Sequence, residues 1–293
     1  MRRASALIAL ALILLTSNAF ADGFGSLLDL GKKLVPVVPK AVQSVTEANK
    51  DMTPEQEYTL GRAFGAQLLQ SHKVSNDEKA NHYINVLGQA LARFSDLPET
   101  YAGYHFQILE SPEVNAFSAP GGLIFITTGL ILMTHNEDEL AAVLAHEIGH
   151  VAKRHGVEAI KKDRQTKAWV GIGADTASAL GSDQMKQAAS SLRDSVSDLT
   201  STIIDKGYSR DTEYQADAAA VTVLTRAGYP TEALVDMIRS LNAIPEAGKG
   251  GLTKTHPAPD DRIAHLHSLV LGKTYTVSGV QAERYRVALA GLK

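Results

Sequence analysis

Residues 142–155 read A-V-L-A-H-E-I-G-H-V-A-K-R-H and contain His146, Glu147 and His150 in the order His-Glu-x-x-His. On an α-helix, residues four apart lie about 40° apart around the axis and one turn along it, so the two histidines can bind the same metal ion. Glu147 lies about 100° further round, where it reaches a water beside that ion without being a ligand. The spacing predicts a zinc site in which the glutamate removes a proton from the water as general base.

The residues around this motif predict how the helix begins and ends. Asn136 followed by Glu139 is typical of an N-terminal cap, and the pattern predicts a helix over Glu137–His155. Gly156 then occupies the place that favours a left-handed C-terminal residue. A chance match to His-Glu-x-x-His on an ordinary helix is the alternative, but two histidines and a glutamate in this register rarely arise by chance.

His155 is a further candidate for the third ligand, but helical geometry disfavours it. On a continuous helix it would lie about 140° round from His150 and point elsewhere. The longer metzincin motif, His-x-x-Gly-x-x-His, is also absent, because Lys153 and Gly156 occupy its glycine and second-histidine positions.

A third zinc ligand is expected downstream, with a fourth position left open for water. Glu213 and Asp217 are four residues apart and share one helix face, so either could be the ligand. The other would then accept the N–H of a zinc-binding histidine. A solvated acidic face is the alternative, but the alanine-rich stretch 216–221 makes this helix too apolar for it.

The rest of the chain predicts helices around a small β-element. Thr53 with Gln56 predicts a helix to about Gln70, and Ser75 with Glu78 predicts a second helix to about Phe94. Tyr104–Leu109 and Gly122–Thr127 have strand patterns. Residues 157–206 have helical character, with an apolar hairpin at 168–180 for which membrane contact is a minority hypothesis.

Residues 115–118, Asn-Ala-Phe-Ser, leave two interpretations open. They are either an edge strand that pairs with an extended peptide or a plain hairpin connection. Near the other end of the chain, a helix is predicted from about Thr231 to Asn242, and another from Pro259 to Leu271.

The first 21 residues have the three parts of a secretory signal peptide: Arg2 and Arg3, an apolar run over Ala6–Leu15, and the small-x-small sequence Ala19-Phe20-Ala21. We therefore expect export, with the periplasm as the predicted location and membrane association as an open alternative. The chain has no cysteine, which excludes disulfides and a lipid anchor on cysteine. A net charge of −3 gives no support to nucleic-acid binding.

Several motifs together resemble the zinc metallopeptidase family of the CAAX-prenyl endopeptidases and HtpX, and in particular its exported bacterial members. They comprise residues 115–122 (NAFSAPGG), 139–150 (ELAAVLAHEIGH), Tyr208-Ser209-Arg210 before Glu213-x-x-x-Asp217, and His256-Pro257 before Arg262. The resemblance covers residues 53–272. Beyond the signal peptide at 1–21, it defines an N-terminal extension at 22–52, a peptidase domain at 53–272 and a tail at 273–293.

The resemblance implies a mostly helical α+β, zincin-like (gluzincin) fold with one Zn²⁺ per chain. It makes Glu213 the third ligand and Asp217 the carboxylate that holds a ligand histidine. Asn115 and Ala116 would belong to the edge strand that binds substrate. The membrane members carry transmembrane helices and some exported relatives carry helical repeats, neither of which is recognisable here.

Two further residues have open roles. His256 or Arg262 could stabilise the oxyanion of the tetrahedral intermediate, and His256 could instead occupy the fourth zinc position and keep the enzyme latent. The structural alternative is that Arg262 pairs with an acidic residue and holds its loop in place.

The sequence thus predicts a zinc endopeptidase that cleaves exported, including misfolded, proteins or peptides. Peripheral contact with a membrane or an outer-membrane assembly is a further expectation. The alternative is a chaperone-like or regulatory binding module with a non-catalytic zinc, and the presence of Glu147 argues against it because a structural site needs no base.

Overall fold

The computed structural model describes residues 51–162, 207–244, 251–256, 259–270 and 275–292. The predicted signal peptide, nearly all of the N-terminal extension and the elements predicted between residues 163 and 206 lie outside these ranges. The helices are α1 (Pro54–Leu68), α2 (Glu78–Ala92), α3 (Thr128–Met133), α4 (Glu137–Ala152), α5 (Arg210–Ala227), α6 (Glu232–Asn242), α7 (Leu252–Thr255), α8 (Pro259–Leu266) and α9 (Gly279–Leu289). Residues 155–162 are helical as well.

Four strands form one small mixed sheet. They are β1 (Lys73–Val74), β2 (His105–Glu110), β3 (Ala116–Ala119) and β4 (Leu123–Thr127), in the order β1-β2-β4-β3. β2 and β4 are parallel, whereas β3 pairs antiparallel with β4, with Phe117 opposite Phe125. The two strands predicted at Tyr104–Leu109 and Gly122–Thr127 are present to within a residue.

Helix caps decide where several of these elements begin. Thr53 and Gln56 form the predicted capping box of α1, and the Asn136 side chain accepts the N–H of Glu139 at the start of α4. The prediction of Ser75 as the cap of α2 is wrong. Asp77 caps that helix by accepting the N–H of Ala80, while Ser75 accepts the N–H of Asp77.

The predicted end of α4 is also wrong. The helix ends at Ala152 instead of His155, and Arg154, with φ 56°, takes the left-handed conformation expected of Gly156. Its guanidinium forms an ion pair with Glu57 of α1 and donates to the carbonyl of Met52 at 3.0 Å. These side-chain contacts hold a non-glycine residue in a conformation that ordinarily favours glycine. A new helical segment begins directly at residue 155.

Similarly, α8 ends at Leu266, five residues before the predicted Leu271.

Alternating side chains of the strands divide the apolar core between the two faces of the sheet. Phe125 and Phe117 pack with Phe64 of α1 on one face. Ile124 and Ile126 belong to the larger cluster on the other face, with apolar side chains of α2, α4, α5 and α6. Helix α4 therefore lies in the interior, and every residue from Glu137 to Val151 is buried.

A glycine sets the distance between α4 and α5. A Cβ added at Gly149 would lie 2.8 Å from the carbonyl oxygen of Ala216 and 3.1 Å from the Cβ of Ala219. The backbones of α4 and α5 thus approach more closely than a side chain at position 149 would allow. This close contact lies between the part of α4 that carries His146 and His150 and the part of α5 that carries Glu213 and Asp217.

The last described helix is fixed to the start of α4. Arg284 of α9 pairs with the fully buried carboxylate of Glu137, which also accepts hydrogen bonds from Tyr83 at 2.7 Å and Tyr229 at 2.8 Å. Leu289 is part of the larger core cluster. Part of the segment predicted as a tail therefore packs as a core element.

The mostly helical α+β prediction is confirmed. In the described ranges, no helix combines the length and the apolar composition needed to cross a bilayer.

Candidate metal centre

Four buried side chains from three elements converge on one point. His146 and His150 come from α4, Glu213 from the first turn of α5, and His256 follows α7. One nitrogen or oxygen of each lies within 4.8 Å of the others. The structure therefore brings together three residues predicted as ligands and the histidine predicted as a gate or oxyanion stabiliser.

The distances between these atoms fit a tetrahedral ion. His146 Nε2 lies 3.1 Å from His150 Nε2 and 3.4 Å from Glu213 Oε2, and His150 Nε2 lies 3.5 Å from Glu213 Oε1. Ligand atoms at zinc bond lengths in a tetrahedron are about 3.3 Å apart. Two imidazole nitrogens and a carboxylate oxygen are also the donor set of catalytic zinc sites.

Glu147 lies beside the cluster without belonging to it. Its Oε1 is 3.6 Å from His256 Nε2, and its Oε2 is buried without a hydrogen-bond partner in the described part of the chain. An unpaired buried carboxylate oxygen is costly and is expected mainly where a ligand, a water or a substrate completes it. This is the position that a general base requires.

Asp217 holds His146 from behind. Its Oδ1 is 2.9 Å from His146 Nδ1, which leaves Nε2 facing the cluster. Arg262 donates two hydrogen bonds to Asp217, at 2.7 and 2.9 Å, and pairs with Glu213 at 3.1 Å. Arg262 is 2% exposed and engages both carboxylates, which is the pairing that the structural alternative for this residue expects.

These contacts set the protonation of the carboxylates. Burial acts to raise the pKa of Asp217, but Arg262 and His146 outweigh it and lower the pKa to about 2. The pKa of Glu213 is likewise held well below its ordinary value, because His256 and Arg262 outweigh burial. Both groups are therefore ionised at neutral pH, the form that binds a cation.

The pKa values of the two histidines of α4 are shifted in opposite directions. Burial and Arg262 act to lower the pKa of His146, yet hydrogen bonds with Asp217 and Glu213 raise it to about 9. Burial lowers the pKa of His150 well below its ordinary value, which leaves a neutral imidazole with a free lone pair.

His256 closes the cluster on the side of the edge strand. Its Nδ1 lies 3.0 Å from Glu213 Oε1 and 3.3 Å from His146 Nε2. Residues 251–256 are held against the strand, because Leu252 donates to the carbonyl of Val114 at 2.8 Å and Thr255 donates to Asn115 Oδ1 at 3.3 Å. The four side chains of the cluster are each at most 4% exposed, so the centre is closed to a peptide in this conformation.

Of the two interpretations of residues 115–118, the structure supports a strand at the edge of the described sheet, whereas its pairing with a peptide stays a prediction. Ala116 begins β3 at the end of the sheet order, while Asn115 precedes it and accepts hydrogen bonds from Ala116 and Thr255. All four residues of β3 are buried.

Two residues beside His150 have no role in the site predicted from the sequence. The ring of Tyr208 stacks on His150 with centroids 4.3 Å apart, and its hydroxyl is buried. His155 is disfavoured as a ligand by the helical extrapolation, but its Nδ1 lies 2.9 Å from His150 Nδ1. Helical extrapolation missed this contact because α4 ends before His155.

A buried helix with His-Glu-x-x-His, a glutamate from a second helix and a small mixed sheet define a zincin-like metallopeptidase class. Comparison of the sequence with known protein families and proteins specifies the family. The model of peptidase family M48 matches residues 78–270. The chain belongs to peptidase family M48, which confirms the predicted relationship to the zinc metallopeptidases.

Three relatives illustrate the range of the family. The beta-barrel assembly-enhancing protease of Escherichia coli K12 is 32% identical over 261 residues, which cover 84% of this chain and 47% of the relative. The metalloprotease YcaL of the same strain is 26% identical, covering 57% of this chain and 62% of the relative. The mitochondrial metalloendopeptidase OMA1 of Arabidopsis thaliana is 28% identical, covering 53% and 29%. The chain thus spans about half the length of the first of these relatives.

Proposed function

We propose that this chain is a zinc-dependent endopeptidase with His146, His150 and Glu213 as ligands of one Zn²⁺ and Glu147 as general base. The observation that carries the proposal is the unpaired Oε2 of Glu147 beside four converging metal-binding groups. A structural zinc site needs no such base, so this observation also disfavours the alternative of a non-catalytic binding module.

Each residue then has a defined task. A bound zinc ion would supply Lewis acidity toward the water and the scissile carbonyl. Glu147 removes the proton of the attacking water and returns it to the leaving amine. The substrate chain pairs with β3 near Asn115 and Ala116, as an added strand at the β3 edge of the described sheet. Asp217 and Arg262 keep His146 and Glu213 oriented.

Replacement of Glu147 by Gln tests the base. We expect zinc to stay bound and cleavage of casein or an unfolded protein to fall at least 100-fold, because the amide cannot accept the proton. Zinc content and peptide release are measured together. Glu158→Gln is the matched control, since Glu158 is exposed on the helical segment that follows α4. A Glu147→Gln enzyme that cleaves like wild type would overturn the proposed mechanism.

We further propose that His256 occupies the fourth position at rest and that residues 251–256 must move before substrate enters. The proposal is supported by the contact of His256 with Glu213 and by the hydrogen bonds of residues 251–256 with the strand region. A side chain in the place of the water would keep the enzyme latent.

His256→Ala tests latency and separates it from the oxyanion role. If His256 blocks the site, initial rates on casein rise several-fold, whereas loss of an oxyanion donor lowers kcat by roughly 100-fold. Zinc content should be unchanged, because three ligands remain. An unchanged rate would show that neither role applies.

We also propose that the enzyme acts outside the cytoplasm, on exported or misfolded proteins at or near the outer membrane. Residues 1–21 support export, and the printed name of the Escherichia coli relative supports a link to β-barrel assembly. Comparing the exported proteins captured by the Glu147→Gln form with those captured by Glu158→Gln tests this substrate class. Enrichment of cytoplasmic proteins alone would contradict it.

A further inference from the structure

The outer nitrogens of the two α4 histidines have different partners. Asp217, a carboxylate, lies 2.9 Å from His146 Nδ1. At His150 the same place is taken by His155, whose Nδ1 is 2.9 Å from His150 Nδ1. His155 is buried, and its Nε2 lies 3.5 Å from Gln215 Oε1 of α5, at the long limit of a hydrogen bond.

Only one arrangement of protons in this pair suits a metal ligand. His150 must present the Nε2 lone pair to the cluster, so its single proton lies on Nδ1. His155 Nδ1 must then accept a hydrogen bond from this N–H, which places the single proton of His155 on Nε2, toward Gln215. The opposite arrangement would direct an N–H of His150 at the atoms that should bind the ion.

We propose that His155 is a positioning residue that, through its Nδ1, fixes the tautomer and ring orientation of His150 for metal binding. The proposal rests on the proposed zinc site and adds to it a neutral imidazole where the other ligand histidine has a carboxylate. Gln215, on the same helix as Glu213, sets the tautomer of His155 in turn.

The backbone turn at Arg154 brings His155 into contact with His150. On an unbroken helix His155 would point away from His150. Since Arg154 is left-handed, the chain turns back and the first residue of the next helical segment faces the ligand. Tyr208 stacks on the face of His150 and fixes the plane of the His150 ring. His155 accepts from the Nδ1–H of His150 and fixes the orientation of the ring within that plane.

Two variants of similar shape separate positioning from packing. His155→Asn keeps an acceptor near the place of Nδ1, whereas His155→Leu removes it. We expect the dissociation constant for zinc, measured by competition with a chromogenic chelator, to rise roughly 10- to 100-fold in His155→Leu and only a few-fold in His155→Asn. The visible spectrum of the Co²⁺-loaded protein should change in His155→Leu and be restored in His155→Asn.

Controls make each outcome decisive. His105→Leu replaces an exposed histidine of β2, whose ring contacts the carbonyl of Ala102, and should leave zinc affinity unchanged. Circular dichroism confirms folding of each variant. Equal weakening in the Leu and Asn variants, or weakening in neither, would overturn the positioning role. A wild-type chain that binds no zinc would instead overturn the proposed function, so the two failures are distinguishable.

Discussion

At the scale of single residues, the roles of Glu213 and Asp217 could not be told apart by their spacing in the sequence. Glu213 and Asp217 share one helix face, so their spacing left open which of them binds metal. In the structure Glu213 reaches the cluster, while Asp217 contacts the far nitrogen of His146 and a guanidinium 45 residues away. Arg262 could not be assigned from the sequence, because its contacts depend on how α8 packs on α5.

Asp217→Asn should therefore destabilise the fold as well as weaken metal binding. The amide still accepts from His146, but it turns an NH₂ group toward Arg262 and leaves that buried charge with Glu213 alone. We expect a loss of about 3 kcal/mol in the free energy of unfolding, measured by urea denaturation with a chelator present.

The control is Asp96→Asn, which removes an exposed partner of Lys153 and Arg226. This surface change should have a clearly smaller effect than Asp217→Asn. Similar effects of the two substitutions would show that the buried charges contribute little to folding.

At the scale of elements, periodicity and caps predicted most helices and both main strands. The errors fell at Ser75, at the end of α4 and at the end of α8. The first two errors concern details that the sequence pattern does not determine. These are which of two nearby polar residues, Ser75 or Asp77, caps α2, and which residue at the end of α4 becomes left-handed. Arg154 adopts that conformation because Glu57 and Met52, about 100 residues earlier, engage its side chain.

The close approach of α4 and α5 gives a prediction at this scale. A methyl group at position 149 would collide with the carbonyl of Ala216 and push apart the helices that carry the histidines and Glu213. We expect Gly149→Ala to cost about 1–3 kcal/mol in the free energy of unfolding and to weaken zinc binding. Thermal unfolding and chelator competition measure the two effects.

Gly279→Ala is the matched control, because a Cβ there would meet no atom within 4 Å. That variant should be as stable as wild type or slightly more stable. Unchanged zinc affinity in Gly149→Ala would mean that the helix spacing does not position the ligands.

At the scale of the whole molecule, the buried Glu137 connects distant parts of the chain. Tyr83 of α2, Tyr229 before α6 and Arg284 of α9 all contact this carboxylate at the start of α4. Burial would raise the pKa of Glu137, but the hydrogen bonds from Arg284 and the tyrosines lower it below 4.5. The sequence motifs indicated only a cap here, because the partners lie 54, 92 and 147 residues away.

This network predicts a pH dependence of stability. Since the pKa of Glu137 is lower in the folded than in the unfolded chain, the unfolded chain binds more protons between the two values. The stabilisation is present above pH 4.5 and is lost as the pH falls through the folded pKa. Glu137→Gln should be less stable at pH 7 but lose less of its remaining stability between pH 5 and 3.

Unfolding free energies of chelator-treated protein across this pH range measure the effect without a contribution from metal loss. Glu158→Gln should follow the wild-type curve, because Glu158 is exposed. Parallel curves for Glu137→Gln and wild type would contradict the network.

The attachment of α9 has a practical consequence for expression design. The motifs of the family end near residue 272, and a fragment chosen on them alone would omit Arg284 and Leu289. Such a fragment would leave a buried carboxylate without its cation at the first turn of the helix that carries the histidines. Shortened versions for crystallisation or assay should therefore keep the chain through at least Leu289, and affinity tags should follow that residue after a spacer.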